Sequence, residues 1–311
     1  MLVTMKQLLD TAKGRHFAVA APNIFSLETI EQALKAAREL NAPIILNIWD
    51  DGPAGGLDWI RKYGHTARFL AQTFYPDVVA AINLDHGLSF DAEMAAIQAG
   101  FTSVMSDRSS LPFEENIAEV RKIVDAAHAV GVSVEAELGQ VGEGFEYEQK
   151  RDAGLTRPEQ AQEYVRRTGC DMLAVAVGTS HGTYRGTPRI AFDLLQELND
   201  LIDIPLVLHG GSSTGDENLA KAVEIGIQKV NVNTDLMNAF TAAQKKAEAD
   251  GATGFMELYD AGLAGWKAML IHYMRLFRSD GKADLYKAYS AQREEPHFAH
   301  APAAAGAESF R

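Results

Sequence analysis

Eight short runs of apolar or β-branched residues recur along the chain, at 17–20, 44–48, 80–84, 103–105, 133–137, 172–177, 206–208 and 229–232. Each is short enough to read as a buried strand. Between them the apolar spacing changes to three and four, which predicts helices such as 27–40, 91–99, 114–130, 158–168 and 215–225. Asp91 and Thr156 stand where helix caps belong, and Gly131 and Gly169 where helices end. Strand and helix alternating in this way predict an α/β fold, a (β/α)8 TIM barrel. An open doubly wound sheet also alternates, but usually with fewer strands. After Asn233 the pattern turns helical, at 235–250 and 255–276, which predicts a C-terminal helical extension. With no short-period repeat and no break in composition, residues 1–290 are expected to form one domain. Residues 291–311, with Pro296, His297 and His300 among alanines, are expected to form a flexible tail.

Composition narrows the partners. A length of 311 residues fits a single barrel, and 47% hydrophobic residues supply its core. A net charge of −13 argues against nucleic acid and anionic membranes. It does not exclude a small phosphorylated ligand, because backbone amides at helix N-termini bind phosphate whatever the overall charge. The single cysteine, Cys170, can form no intrachain disulfide and is expected to be a buried small residue, consistent with a reducing, cytoplasmic setting. The N-terminus carries no signal-peptide pattern, and no apolar stretch is long enough for a membrane span.

Three runs lead into a histidine: Asp85-His86-Gly87, Ser180-His181-Gly182 and Leu208-His209-Gly210. A lone histidine there is more often just hydrogen-bonded in a loop. Three at C-terminal strand ends converge on the catalytic face of a barrel, where they can hold Zn²⁺ with an open coordination position. Asp85, beside one of them, is placed to move a proton. Asp107 ends the fourth run, while Glu135 and Glu137 share one face of the fifth; Glu137 lies nearer the active end. Such acids also serve to orient ligand histidines. Gly182, Gly210, Gly211 and Ser212, with Asn231, Asn233 and Thr234 at a later helix start, form small-residue turns suited to phosphate. The charged stretch 146–152, following Gly142 and Gly144, reads as a solvated loop placed to act as a lid.

Several of these segments are long and specific. Leu84-Asp85-His86-Gly87, the run from Ser133 to Gln140, Gly178-Thr179-Ser180-His181-Gly182-Thr183-Tyr184 and Lys229-Val230-Asn231-Val232-Asn233 resemble the class II (zinc-dependent) fructose-bisphosphate and tagatose-bisphosphate aldolase family. Ser103 to Asp107 and Leu111 to Asn116 extend the likeness, which covers roughly residues 1–245. The resemblance implies cleavage of a ketose phosphate to dihydroxyacetone phosphate and an aldehyde by a homodimer or homotetramer. It implies Zn²⁺ on His86, His181 and His209, with Asp107 and Glu137 as acids at an alternative ion position. A monovalent cation near the phosphate is also compatible with it. Asp85 would move the C4 hydroxyl proton, Asn23 would line the site, and the small-residue turns would hold the donor phosphate.

The departures bear on the substrate. A lid glutamate that relatives use for proton exchange is replaced by Phe145 in register, leaving Glu143 and Glu146 as substitutes. Arg108-Ser109-Ser110 replaces a Gly-Ser-His segment, and strand two ends in Trp49 where many relatives carry a serine near the donor phosphate. Near Tyr259 and Asp260 the arginine that would grip a second phosphate is missing; Asp260 alone remains, with Arg108 and Arg185 as alternative cations. Losing a bidentate arginine loses a strong contact, so an acceptor aldehyde without phosphate is expected. The competing readings are another metal-assisted barrel enzyme, such as a hydrolase, and a catalytically silent or regulatory aldolase-like subunit.

Overall fold

A computed structural model of the chain describes residues 1–50, 56–143, 151–182, 184, 188–287 and 289. Its strands are β1 (Val19–Pro22), β2 (Ile44–Trp49), β3 (Ala80–Gly87), β4 (Ser103–Ser106), β5 (Ser133–Leu138), β6 (Gly142–Glu143), β7 (Met172–Val175), β8 (Ser180–His181), β9 (Leu206–Leu208) and β10 (Ile227–Val232). All but β6 and β8 form one parallel sheet, in the order β1-β10-β9-β7-β5-β4-β3-β2. A bridge from Asn23 to Asn47, with Ile24 N donating to Asn47 O at 2.9 Å, brings β1 to β2 and nearly closes the ring. The eight predicted strands are therefore those of the barrel. The sixth run stops at Val175, however, and His181 lies on β8, which among the described residues pairs with β6 and not with the barrel sheet.

The helices are α1 (Met5–Ala12), α2 (Leu27–Leu40), α3 (Gly56–Thr73), α4 (Phe90–Ala99), α5 (Phe113–His128), α6 (Pro158–Thr168), α7 (Phe192–Leu201), α8 (Asp216–Ile225), α9 (Thr234–Ala249) and α10 (Phe255–Leu276). Two caps differ from expectation. Ser89 caps α4, its Oγ accepting from Ala92 N at 3.2 Å, and Asp91 lies in the first turn, where its charge suits the helix dipole. Thr156 does not cap α6. Its Oγ1 donates to Leu138 O at 2.5 Å and accepts from Ala176 N at 2.8 Å, tying β5 to the chain beyond β7. Gly169 ends α6 in the left-handed region, as expected.

Helix α1 buries Met5, Leu8, Leu9 and Ala12, one apolar stripe, against Val19, Ile45, Ala81, Met172 and Val207 at the strand starts. It plugs the N-terminal end of the barrel. Further along the strands the inward positions become polar. Asn83 Nδ2 donates to Asn47 Oδ1 at 3.0 Å, and fully buried Lys229 meets fully buried Glu135 at 2.6 Å. Apolar packing thus fills one end, and the chemistry is left to the other. No helix among the described residues is long and apolar enough to cross a membrane.

Candidate active site

Strict alternation along β3 would send Asp85 and His86 to opposite faces of the barrel wall. The chain avoids this at His86, whose φ of +53° is left-handed, and the register with β4 shifts between Leu84 and Gly87. Such a local irregularity re-aims a side chain. His86 Nε2 consequently lies 3.1 Å from His209 Nδ1, and its Nδ1 lies 2.8 Å from Asp107 Oδ2. His181 joins them from β8, its ring centroid 5.1 Å from that of His86 and 6.0 Å from that of His209.

Each imidazole has a distinct electrostatic setting. His209 Nε2 donates to Glu135 Oε1 at 2.8 Å, and Lys229 holds the other oxygen of that carboxylate. That bond leaves the His209 Nδ1 lone pair facing the cluster. Burial opposes a charge on His86, but the Asp107 hydrogen bond together with Asp85 and Glu137 raises its pKa to about 9. Burial, then the neighbouring His86 and His209, lowers that of His181 to about 3. Burial and the adjacent Asp107 push Glu137 up to about 8. For Asp85 burial favours the acid, yet His86, His209 and Lys229 outweigh it and hold the carboxyl below its usual range. Asn23 Nδ2 donates to one Asp85 oxygen at 2.7 Å and Asn231 Nδ2 to the other at 2.9 Å. Asp85 is thereby kept ionised and oriented beside the cluster.

The residues suit a divalent ion. One ligand atom from each of His86, His181 and His209 lies within 4.8 Å of the others, and His86, Asp107 and Glu137 form a second such set. His181 Nε2 and Glu137 Oε2 are buried with no hydrogen-bond partner among the described residues. A native interior rarely leaves such atoms unmatched; a cation in the first set would satisfy His181, and one in the second would satisfy Glu137.

The turns expected to meet phosphate gather at the same end. Gly182 and Gly210 are left-handed, with φ of +76° and +68°, and a Cβ on Gly210 would lie 2.3 Å from Ser180 O. Ser212 Oγ accepts from Asn233 N at 3.1 Å and Asp235 N at 3.2 Å, joining the Gly210-Gly211 turn to the start of α9 at Thr234. Among the described residues its own proton has no acceptor, so it can donate to an anion. The backbone amide of Asn233 is thus already engaged. Tyr184 Oη, which accepts from Ser180 N at 2.7 Å and lies 3.0 Å from Thr214 Oγ1, pins the turns after β8 and β9 together.

The chain from residue 3 to residue 282 matches the family model described as "Fructose-bisphosphate aldolase class-II". A fructose-bisphosphate aldolase of Geobacillus stearothermophilus is 40% identical over 284 residues, covering 91% of this chain and 99% of that one. One from Staphylococcus aureus (strain Mu50) is 42% identical over 260 residues, covering 83% of this chain and 89% of the relative. This chain belongs to the class II fructose-bisphosphate aldolase family. Among solved structures, the YdjI aldolase of Escherichia coli K12 superimposes with a TM-score of 0.81 at 32% identity, over 91% of this chain and all (100%) of that one.

The remaining expectations for this aldolase-family chain fall as follows. Glu143 lies on β6 with its Cα paired to that of His181, while Glu146 and Arg185 fall outside the described residues. Asp260 is exposed on α10 and makes no hydrogen bond or ion pair with the imidazole cluster. Arg108 cannot serve as a free cation. It is buried, donating to Gly87 O at 2.7 Å and Asp107 O at 2.9 Å, and its other terminal nitrogen is 3.1 Å from each oxygen of buried Glu93. Sequence reasoning missed Lys229 altogether and undervalued Glu135. The available signal was a lysine inside an apolar strand, which requires a buried counter-charge.

Proposed function

We propose that this protein is a zinc-dependent aldolase that cleaves a ketose phosphate reversibly to dihydroxyacetone phosphate and an aldehyde lacking phosphate. The observation that carries the reading is the meeting of three imidazoles with an Asp85 carboxylate held by two asparagines. His86, His181 and His209 would hold the ion, with Asp107 and Glu137 as its alternative seat. When bound, it supplies Lewis acidity at the substrate ketone. Asp85 accepts the proton of the C4 hydroxyl as the C3–C4 bond breaks, and returns it to the aldehyde oxygen in condensation. Gly182, Gly210, Gly211, Ser212, Asn231, Asn233 and Thr234 would bind the donor phosphate, with room for a monovalent cation there. Glu143 or Glu146 would exchange the donor-carbon proton, and Asp260 would belong to the acceptor side.

The missing second-phosphate arginine and the Glu93 partner of Arg108 both favour an uncharged acceptor. A homodimer or homotetramer fits Met237, Phe255 and Met256, which are 41%, 76% and 60% exposed on α9 and α10, and a reducing, cytoplasmic setting fits the single free cysteine, Cys170. The test is a retro-aldol panel of ketose 1-phosphates and 1,6-bisphosphates with metal analysis, on wild type and Asp85→Ala. Turnover of 1-phosphates that needs zinc and Asp85 is expected. Clear preference for fructose 1,6-bisphosphate would overturn the acceptor assignment, and zinc without turnover would favour a silent relative.

A further inference from the structure

Strand β2 is buried at every position except its last, Trp49, which is 42% exposed. Its inward positions are legible from contacts: Ile45 packs in the plugged end of the barrel, and Asn47 bonds to Asn83 in the middle. Two residues on, Trp49 occupies the same face at the rim. Its Cα is paired with that of Asp85. The position is fixed from the next residue, since Asp50 N donates to Asp85 O at 3.1 Å and Asp50 Oδ2 accepts from Leu88 N at 3.1 Å. In the ring order, β2 stands opposite β7, the strand that leads to β8 and Gly182. A donor phosphate held at the Gly182 turn would leave the other end of the substrate facing the β2 side, so Trp49 faces the acceptor end and not the donor phosphate beside which the relatives' serine is expected.

We propose that Trp49 is the wall of the acceptor half of the substrate site, selecting an aldehyde end that offers C–H bonds over one that offers a second phosphate. The inference rests on the aldolase reading and names the feature that sets its specificity. An indole presents a broad apolar face and one N–H donor, which suits a sugar carbon chain. A phosphate on this side would meet the carboxylates of Asp85 and Asp107, while the cation next to Asp107, Arg108, is already matched by Glu93. A desolvated anion without a counter-charge is strongly disfavoured.

The experiment uses the protein's own fluorescence. The chain has three tryptophans, and Trp59 and Trp266 are 8% and 0% exposed, so iodide reports chiefly on Trp49. Saturating fructose 1-phosphate or tagatose 1-phosphate should shield the emission from iodide, whereas dihydroxyacetone phosphate alone should shield it less. Trp49→Ser should raise KM for the ketose 1-phosphate about tenfold, the scale of one lost aromatic contact, with a smaller change in kcat. Trp49→Phe should restore most of that loss. Unchanged iodide quenching while calorimetry registers ketose phosphate binding, or an unchanged KM in Trp49→Ser, would overturn the proposal and leave the aldolase reading standing. No calorimetric binding of any ketose phosphate would remove the aldolase reading, and this inference with it.

Discussion

Replacing Lys229 by methionine tests the buried chain behind His209. Both Lys229 and Glu135 have side chains with 0% exposure, and their charges meet at 2.6 Å. Methionine keeps the length and removes the charge, leaving the Glu135 carboxylate, among the described residues, with His209 Nε2 at 2.8 Å as its hydrogen-bond partner. Removing one member of a buried pair costs about 3–5 kcal/mol. The wild-type carboxyl sits below its ordinary value: burial favours the acid, but Lys229 and His209 outweigh it. Its share of stability is therefore present above the ordinary pKa and lost as pH falls through the depressed one. In Lys229→Met that share should be missing already at neutral pH. A protonated Glu135 would also donate to His209 Nε2 and move that imidazole's proton to the nitrogen facing the cluster. Ion affinity should then fall roughly 10–100-fold, the usual effect of losing such an orienting partner. Urea unfolding at neutral pH reads the first effect, and chelator competition for zinc reads the second. The double variant Lys229→Met/Glu135→Gln should regain most of the stability, because no buried charge is left. A single variant within about 1 kcal/mol of wild type, with unaltered zinc affinity, would refute the reasoning.

Tyr273 on α10 donates to Asp235 Oδ2 at 2.5 Å, and Asp235 in turn accepts from Ser213 N at 2.7 Å, holding a residue whose φ is +61°. Tyr273→Phe should lower stability by about 1 kcal/mol, the usual worth of one hydrogen bond, and weaken dihydroxyacetone phosphate binding several-fold by calorimetry while sparing kcat. Cys170 is buried, and burial pushes its thiol up to about 12, so it should resist a thiol reagent at neutral pH and react fully only in denaturant.

The barrel was legible because each strand is a compact apolar run and strand ends in a parallel barrel share one face. The same rule brings His86 and His209 to that face, whereas His181 reaches it from the separate β6–β8 ribbon. Strict alternation alone would not turn Asp85 and His86, adjacent in sequence and expected in one site, to the same cluster; that depends on the left-handed backbone at His86. Nor does period-two spacing reveal that Glu135 is the acid paired with Lys229 while Glu137 keeps an unmatched oxygen. That division arises from which strands become neighbours across the barrel. Arg108 looked available in the sequence because its counter-ion, Glu93, lies in the first turn of α4, where a glutamate is ordinarily solvated. Helix α1 escaped notice because its single apolar stripe matters only once there is an open barrel end to stop.

The small ribbon formed by β6 and β8 sets Glu143 level with His181. Two stretches of backbone, one leaving β5 and one leaving β7, are thereby laced together beside the imidazole cluster. A shift of the β6 backbone must therefore pull on the strand that carries His181, so grafting foreign residues at 142–143 should misplace that imidazole too.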